Sequence, residues 1–451
     1  MINRIRNNKF FRSVGVLVGG TALAQLISVI SLPILTRIYS PEDFSLFAII
    51  VSIIAIVFPA ACLRFEIAIP IPDDDPESKA LVLLSFIFST TISLIILILV
   101  YLFPDVIVAW FDKPEIKPYL YLVPFGVFTA SIYNVCQYWA TRKKEFKAIA
   151  KTRVQQSLFG VSAQIVLGIF IQSPLGLLVG HIINKGAGIF SLFKNLLKDD
   201  LRHIRRIGYS DFKAVLKKYD KYPKYSTLEV LANNSGIQVP MLLIASYSLG
   251  PEIGFLMLAM RTMQAPIGLL GGAVSQVFFS NAPERHREGT LGKLTFKTLD
   301  GLVKVGVGPL LFVGILAPEI FSFVFGNDWA RTGELVSWMI PWFVFQFIAS
   351  PISMVMHVKN EQKKLLALTV YGFILRMSFV VLAIIYYPSF ISESYAISGA
   401  FYYAACVVVF VSVAGIKIKE LLFIFKSNYL FILAWVFIGV CFKYILINGS
   451  Y

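Results

Sequence analysis

Three basic residues lie where a charge is hardest to keep. Lys185, Arg261 and Arg376 fall well inside long apolar runs, whereas Lys304 and Lys443 lie close enough to the ends of theirs to snorkel. A cation in hydrocarbon is costly and marks a functional site by default. Facing a water-filled cavity, it offsets the cost of moving negative charge through the membrane, and arginine adds a bidentate fit to phosphate. The plainer alternative is structural. Arg261 could pair with Glu229 or a backbone carbonyl, and Lys185 and Arg376 are open between the two roles.

Uncharged polar residues extend the pattern. Thr21, Gln25 and Ser28 follow at i, i+4 and i+7, which makes one stripe on a helix; such a stripe lines a cavity or bonds a neighbouring helix. Glu229, Asn233, Asn234 and Gln238 precede Pro240 and suit a kinked or cavity-lining helix. Arg64 and Glu66 read as an interfacial pair or a gate. Catalysis finds no support: His181, His203, His286 and His357 are scattered, no GxSxG or phosphate-loop spacing occurs, and Asp73 to Asp75 read as a helix cap. The four cysteines lie inside apolar runs without CxxC spacing, so neither a zinc site nor a disulfide framework is expected. No cofactor or metal is implied.

The elements that must hold these side chains are membrane helices. Of 451 residues, 57% are hydrophobic and 15% charged, against roughly 25% charged in soluble domains. Apolar runs near 13-38, 44-63, 80-102, 118-140, 150-171, 175-196, 225-248, 254-279, 298-318, 333-357, 364-387, 396-416 and 428-447 match the ~20 residues that cross a bilayer. The basic start before the first run lacks a small-residue cleavage site and runs on too long for a signal peptide.

Outside the runs, all Lys and Arg but Arg37, Lys113, Lys117 and Arg331 fall in alternate connections, beginning with the N-terminus and its Arg4 and Arg6. Cytoplasmic loops carry that excess, so the N-terminus is expected inside. The net charge of +15 is then mainly a topology signal, with some attraction to anionic lipid headgroups, and no nucleic-acid partner is expected. A basic cytoplasmic linker at 197-224 separates an N-terminal lobe (1-196, spans one to six) from a C-terminal lobe (225-417, spans seven to twelve). An extension at 418-451 carries a candidate thirteenth span and leaves the side of the C-terminus open.

An internal echo supports two lobes. Leu32-Pro33-Ile34-Leu35 leads to Tyr39-Ser40-Pro41-Glu42, and Val239-Pro240-Met241-Leu242 leads to Tyr247-Ser248 and Pro251-Glu252, six spans later in the same orientation. This reads either as a parallel repeat or as helix capping alone.

The stretches Leu32 to Phe44, Leu63 to Ile69, Tyr222 to Ser226, Ala259-Met260-Arg261 with Gln264-Ala265-Pro266, and Gln276-Val277-Phe278 resemble the Wzx-type polysaccharide flippases of the multidrug/oligosaccharidyl-lipid/polysaccharide exporter superfamily. The likeness runs from about residue 12 to about residue 417 and is specific as a set rather than piece by piece. It implies an all-α polytopic protein of two six-helix lobes in a V around a central cavity. The function implied is alternating-access transfer of a lipid-linked oligosaccharide repeat unit on undecaprenyl diphosphate from the cytoplasmic to the periplasmic leaflet of the bacterial cytoplasmic membrane. On that reading Arg261, Lys185, Arg376, Gln25, Asn233 and Asn234 meet the lipid pyrophosphate and sugars in the cavity between the lobes. Glu229, Arg64 and Glu66 would serve coupling, to H+ or Na+, or gating. Partners would be membrane lipids, a polysaccharide polymerase and chain-length proteins, in O-antigen, lipopolysaccharide or capsule assembly. A cation-coupled efflux pump should carry mainly acidic intramembrane charge, and a membrane polymerase a larger outward loop.

Overall fold

The computed structural model describes residues 9–198, 209–248 and 250–448, and every regular element among them is a helix. Hydrocarbon demands this, because a helix satisfies its backbone N–H and C=O groups within one segment. Eleven helices are long and apolar enough to cross a membrane, or twelve when Pro114–Leu120 and Leu122–Arg142, bent by 42°, form one span. The chain is an all-helical, multi-pass membrane protein. Of the thirteen expected runs, the seventh is also helical, over Thr227–Tyr247. Glu229, Asn233, Asn234 and Gln238 make it too polar to count with the others. Arg4, Arg6 and the centre of the basic linker lie outside the described residues.

The first compact unit runs from Met1 to Ser246. Its helices are α1 (Lys9–Ile30), α2 (Leu32–Ile38), α3 (Pro41–Val57), α4 (Asp75–Leu102), α5 (Leu122–Arg142), α6 (Phe146–Ile171), α7 (Leu175–Gly186), α8 (Ile189–Lys198), α9 (Tyr209–Lys218) and α10 (Thr227–Tyr247). Apolar side chains gain little by leaving lipid for a helix interface, so small residues and hydrogen bonds hold membrane helices together. The α6–α7 pair does both. A Cβ on Gly180 would lie 2.3 Å from Gln164 Cγ, and one on Gly168 would lie 2.6 Å from the Tyr39 ring. In the room so kept, the Tyr39 hydroxyl donates to the Gln164 carbonyl at 2.6 Å and Gln164 Nε2 donates to the Leu177 carbonyl at 3.1 Å.

Ser40 starts α3 with a full capping box: its Oγ accepts from Asp43 N at 3.2 Å and its N–H donates to Asp43 Oδ2 at 3.0 Å. The second copy of the echo begins its helix at Pro251 without a side-chain cap. The acidic run does not cap by side chain either, since Asp74 at the N-cap makes no such bond. Asp75 instead receives Arg142 Nη2 at 3.0 Å and Lys143 Nζ at 2.8 Å, and Glu77 pairs with Lys218 Nζ at 2.6 Å. Carboxylates at a helix start surrounded by basic segments find cations before they find their own backbone. Lys218 belongs to the linker, and α9 also buries Val215 and Tyr219 in a cluster with Phe65, Leu81 and Trp139. That docking explains why the compact unit extends past the basic stretch to Ser246.

The second unit, Tyr247 to Tyr451, holds α11 (Glu252–Arg287), α12 (Leu291–Leu302), α13 (Gly308–Ile315), α14 (Ala317–Phe325), α15 (Ala330–Ile352), α16 (Gln362–Tyr386), α17 (Ile391–Ala414), α18 (Ile418–Ser427) and α19 (Tyr429–Asn448). A core of large side chains joins α11, α15 and α17, with Trp329, Phe343 and Tyr395 fully buried. The last helix is bound in steady register. Asn428 Nδ2 donates to Asp300 Oδ1 at 2.9 Å, Trp435 stands on Gly308 and Phe312, and Lys443 Nζ reaches the Ile315 carbonyl at 3.1 Å and Glu319 at 3.2 Å. Helix α19 therefore runs parallel to α12 and α13, from the level of Asp300 to that of Glu319. A reporter fused after the C-terminus should lie across the membrane from one fused after Lys293, at the start of α12. Reporters on one side would show that α19 does not cross.

Candidate functional site

In the first unit the polar stripe of α1 is half-buried. Part of it holds neighbours together. Thr21 Oγ1 donates to its own helix at Leu17 O (2.9 Å), the Ser28 and Ser157 hydroxyls meet at 2.8 Å, and Ser157 Oγ donates to Ala24 O at 2.7 Å. Interhelical bonding is thus realised at Ser28, and Gln25 lies half-buried one turn before it. Lys185, in the last turn of α7, holds its ammonium 5.7 Å from the Phe58 ring centre, and its carbonyl accepts from Gln156 Nε2 at 3.1 Å. An aromatic face steadies a cation by ~0.5–2 kcal/mol without neutralising it. On α10, Glu229 and Asn233 are exposed and Asn234 is half-buried, before the buried Pro240.

The chain between α3 and α4 breaks into short 3₁₀ turns, and Leu63 and Arg64 take left-handed backbone angles, φ 48° and 63°. Non-glycine residues seldom do so, and strain of this kind gathers at functional sites. The turn folds Arg64 back so that Nη1 lies 3.3 Å from Glu66 Oε1. Glu66 is 1% exposed, and its Oε2 makes no hydrogen bond. Burial pushes its carboxyl up to about 7, and Arg64 opposes the shift only in part. Burial likewise holds the nearby Cys62 thiol well above its usual range.

In the second unit Arg261 is half-buried on α11, five residues before Pro266. Arg376 on α16 is 5% exposed, its guanidinium 4.4 Å from the Tyr402 ring centre and 5.8 Å from that of Trp342. Gly372, one turn before Arg376, admits that ring: a Cβ there would lie 2.5 Å from Tyr402. The aromatic frame went unread because Trp342 and Tyr402 sit on other helices, among many aromatics at helical spacing. A cavity of about 240 Å³, lined by Phe379, Tyr386, Tyr387 and Ser394 among others, opens at the end of α16 and the start of α17 and includes none of the expected site residues. Among the described residues no group of three or more His, Cys, Asp or Glu is placed to hold a metal ion.

The profile of the polysaccharide biosynthesis protein family matches residues 34–334. The chain belongs to this family. The inward closed structure of the lipid II flippase MurJ superposes with a TM-score of 0.70 at 15% identity, over 95% of this chain and 96% of that one. An inward-facing multidrug resistance MATE transporter of the MOP superfamily gives 0.62 at 16% identity, over 88% and 95%. A MOP superfamily transporter from Pyrococcus furiosus, described as having a binding pocket of reversed polarity, gives 0.59 at 13% identity, over 90% and 96%. No curated protein matches the sequence. The chain thus shares the MurJ and MATE fold, and these relatives are transporters.

The Arg64–Glu66 pair yields a prediction on stability. Folding raises the proton affinity of Glu66, so its contribution is complete below the ordinary glutamate range and is lost as pH rises through about 7. The difference from the usual 4.5 corresponds to about 3 kcal/mol. In thermal unfolding of the detergent-solubilised protein, Glu66→Gln should flatten the decline that the wild type shows between about pH 5 and about pH 8. A variant whose melting follows the wild-type pH profile would remove Glu66 as the titrating group.

Proposed function

We propose that this family member is a flippase that moves an undecaprenyl-diphosphate-linked oligosaccharide repeat unit across the bacterial cytoplasmic membrane by alternating access, for surface polysaccharide such as O-antigen or capsule. The observation that carries the reading is the sign of the charge kept inside the spans: Lys185, Arg261 and Arg376 are all cationic and at least half-buried. A diphosphate brings negative charge into a region where bare charge costs several kcal/mol or more. Fixed cations offset that cost, and guanidinium groups match phosphate oxygens in pairs. Family membership and the fold shared with a lipid II flippase support a lipid-linked substrate.

On this reading the N-terminus is cytoplasmic, Arg261 meets the pyrophosphate, and Lys185 and Arg376, steadied by aromatic rings, supply further positive potential. Gln25, Asn233 and Asn234 serve the sugar hydroxyls, whose identity depends on which donors and acceptors they meet. Glu66, a buried carboxyl that burial pushes up to about 7, suits coupling to protons, with Arg64 as its counter-charge. Glu229 is a second candidate for that role. A polymerase and chain-length proteins are the partners expected to receive the product. The alternative, cation-coupled efflux of small amphipathic drugs, would call for mainly acidic charge at these depths.

Flipping measured in proteoliposomes, or surface polysaccharide measured in cells at matched protein level, tests the assignment of Arg261. Arg261→Ala should lose most of the activity, at least tenfold or about 1.4 kcal/mol of barrier. Arg261→Lys should retain part if charge suffices, and should fail equally if the planar fork is needed. Normal polysaccharide from a stably expressed Arg261→Ala protein would overturn the site.

A further inference from the structure

In the first unit one further cation has a neutral holder and, among the described residues, no carboxylate partner. Arg153 lies on α6, a candidate membrane span, behind the basic turn that joins α5 to α6 with Arg142, Lys143, Lys144 and Lys147. It stands about two turns in from Phe146, roughly 11 Å along the axis. An arginine at that depth is long enough to reach back to the headgroups. Here it is tied inside instead. Its Nη2 donates to Gln137 Oε1 at 2.8 Å, and Gln137 itself stands about a turn and a half before the end of α5 at Arg142.

An amide oxygen orients a guanidinium and leaves its charge whole, whereas a carboxylate would cancel it. The bond to Gln137 is the one side-chain hydrogen bond that Arg153 makes among the described residues, and its Nε is buried with no acceptor. A charged donor shut away from water without an acceptor is costly, and an entering oxygen anion would remove that cost. The hydroxyls beside it are already engaged: Tyr133 and Thr152 meet at 2.9 Å, and Thr152 Oγ1 donates to the Ile149 carbonyl at 2.8 Å. One turn deeper on α6, Gln156 Nε2 donates to the Lys185 carbonyl at 3.1 Å. Arg153 and Lys185 therefore follow each other inward from the basic end.

We infer that Arg153, oriented by Gln137, is a diphosphate-binding residue at the basic end of the first unit, where the phosphate oxygens of a prenyl diphosphate accept from Nε and a neighbouring Nη ahead of Lys185. The ligand class follows from the place and the donors. A guanidinium fork matches phosphate oxygens in pairs, and a site just inside the end of a span meets a headgroup anchored by an apolar chain. No covalent bond forms or breaks. The inference rests on the flippase reading and adds to it the first contact of the diphosphate.

The test measures binding of farnesyl diphosphate to the full-length protein in phosphatidylcholine nanodiscs, alongside thermal unfolding. Arg153→Gln should weaken binding by about tenfold or more, the loss of a charged hydrogen bond, and Arg153→Lys should keep part of it. Gln137→Glu separates binding from structure. Its carboxylate would pair with the guanidinium and hold or raise the melting temperature, yet it cancels the charge, so affinity should again fall by about tenfold or more. Wild-type affinity in Gln137→Glu would make Arg153 a packing residue and overturn the inference, and that variant decides even if Arg153→Gln does not fold. Phosphatidylglycerol added in equimolar amount with the probe should not displace it; displacement would assign the site to ordinary anionic headgroups and refute the diphosphate. Binding retained in both variants would sink Arg153 alone, whereas a wild type that binds no prenyl diphosphate would overturn the flippase reading with it.

Discussion

Hydrocarbon cannot solvate a charge or an unmade hydrogen bond, and the architecture of this protein follows from that cost. Backbone groups are satisfied within helices. Polar side chains in the spans must bond each other, a backbone, or something that enters from outside. Arg331 shows the first solution at its fullest, with every face of the guanidinium placed on a carboxylate where three helices start. Lys185 and Arg376 show another, in which a cation lies against an aromatic face.

The same constraint shapes how helices meet. With lipid on the outside as apolar as any core, adhesion must come from close approach and hydrogen bonding. Glycines on α6 and α7 bring two backbones near enough for Gln164 and Tyr39 to bond across them. The final helix uses the same means at three heights, with Asn428, Trp435 and Lys443 each seated on the α12–α13 span. At the membrane edge the acidic run at 73 to 77 and the linker helix neutralise each other, so the basic linker becomes part of the first unit instead of a spacer. Basic residues that mark topology are thus partly spent on structure.

Charge placement also separates functions that one fold can host. Relatives of this fold include a lipid II flippase and multidrug transporters, so the architecture alone does not choose among substrates. What separates this chain from an efflux pump on the proposed reading is the sign of the charge its spans hold, Lys185, Arg261 and Arg376 being cationic.

The residue order by itself determined the membrane class and the helices, because hydropathy over ~20 residues acts locally along the chain. It also marked Lys185, Arg261 and Arg376, since a charge inside an apolar run is visible without a partner. It erred where partners decide. Asp73 to Asp75 read as a cap because helix starts favour acids, yet Arg142 and Lys143, distant in sequence, bond Asp75, and Lys218 bonds Glu77. Ser28 read equally as cavity lining or interhelical glue, and only Ser157 on another helix settled its bond. Glu252 entered only through the internal echo, Arg331 only through the charge distribution and Glu393 not at all, each being an ordinary charge beside a helix start. Tertiary structure alone brought them together, because electrostatic energy depends on distance in space, and no local pattern records which three helix starts will share one arginine.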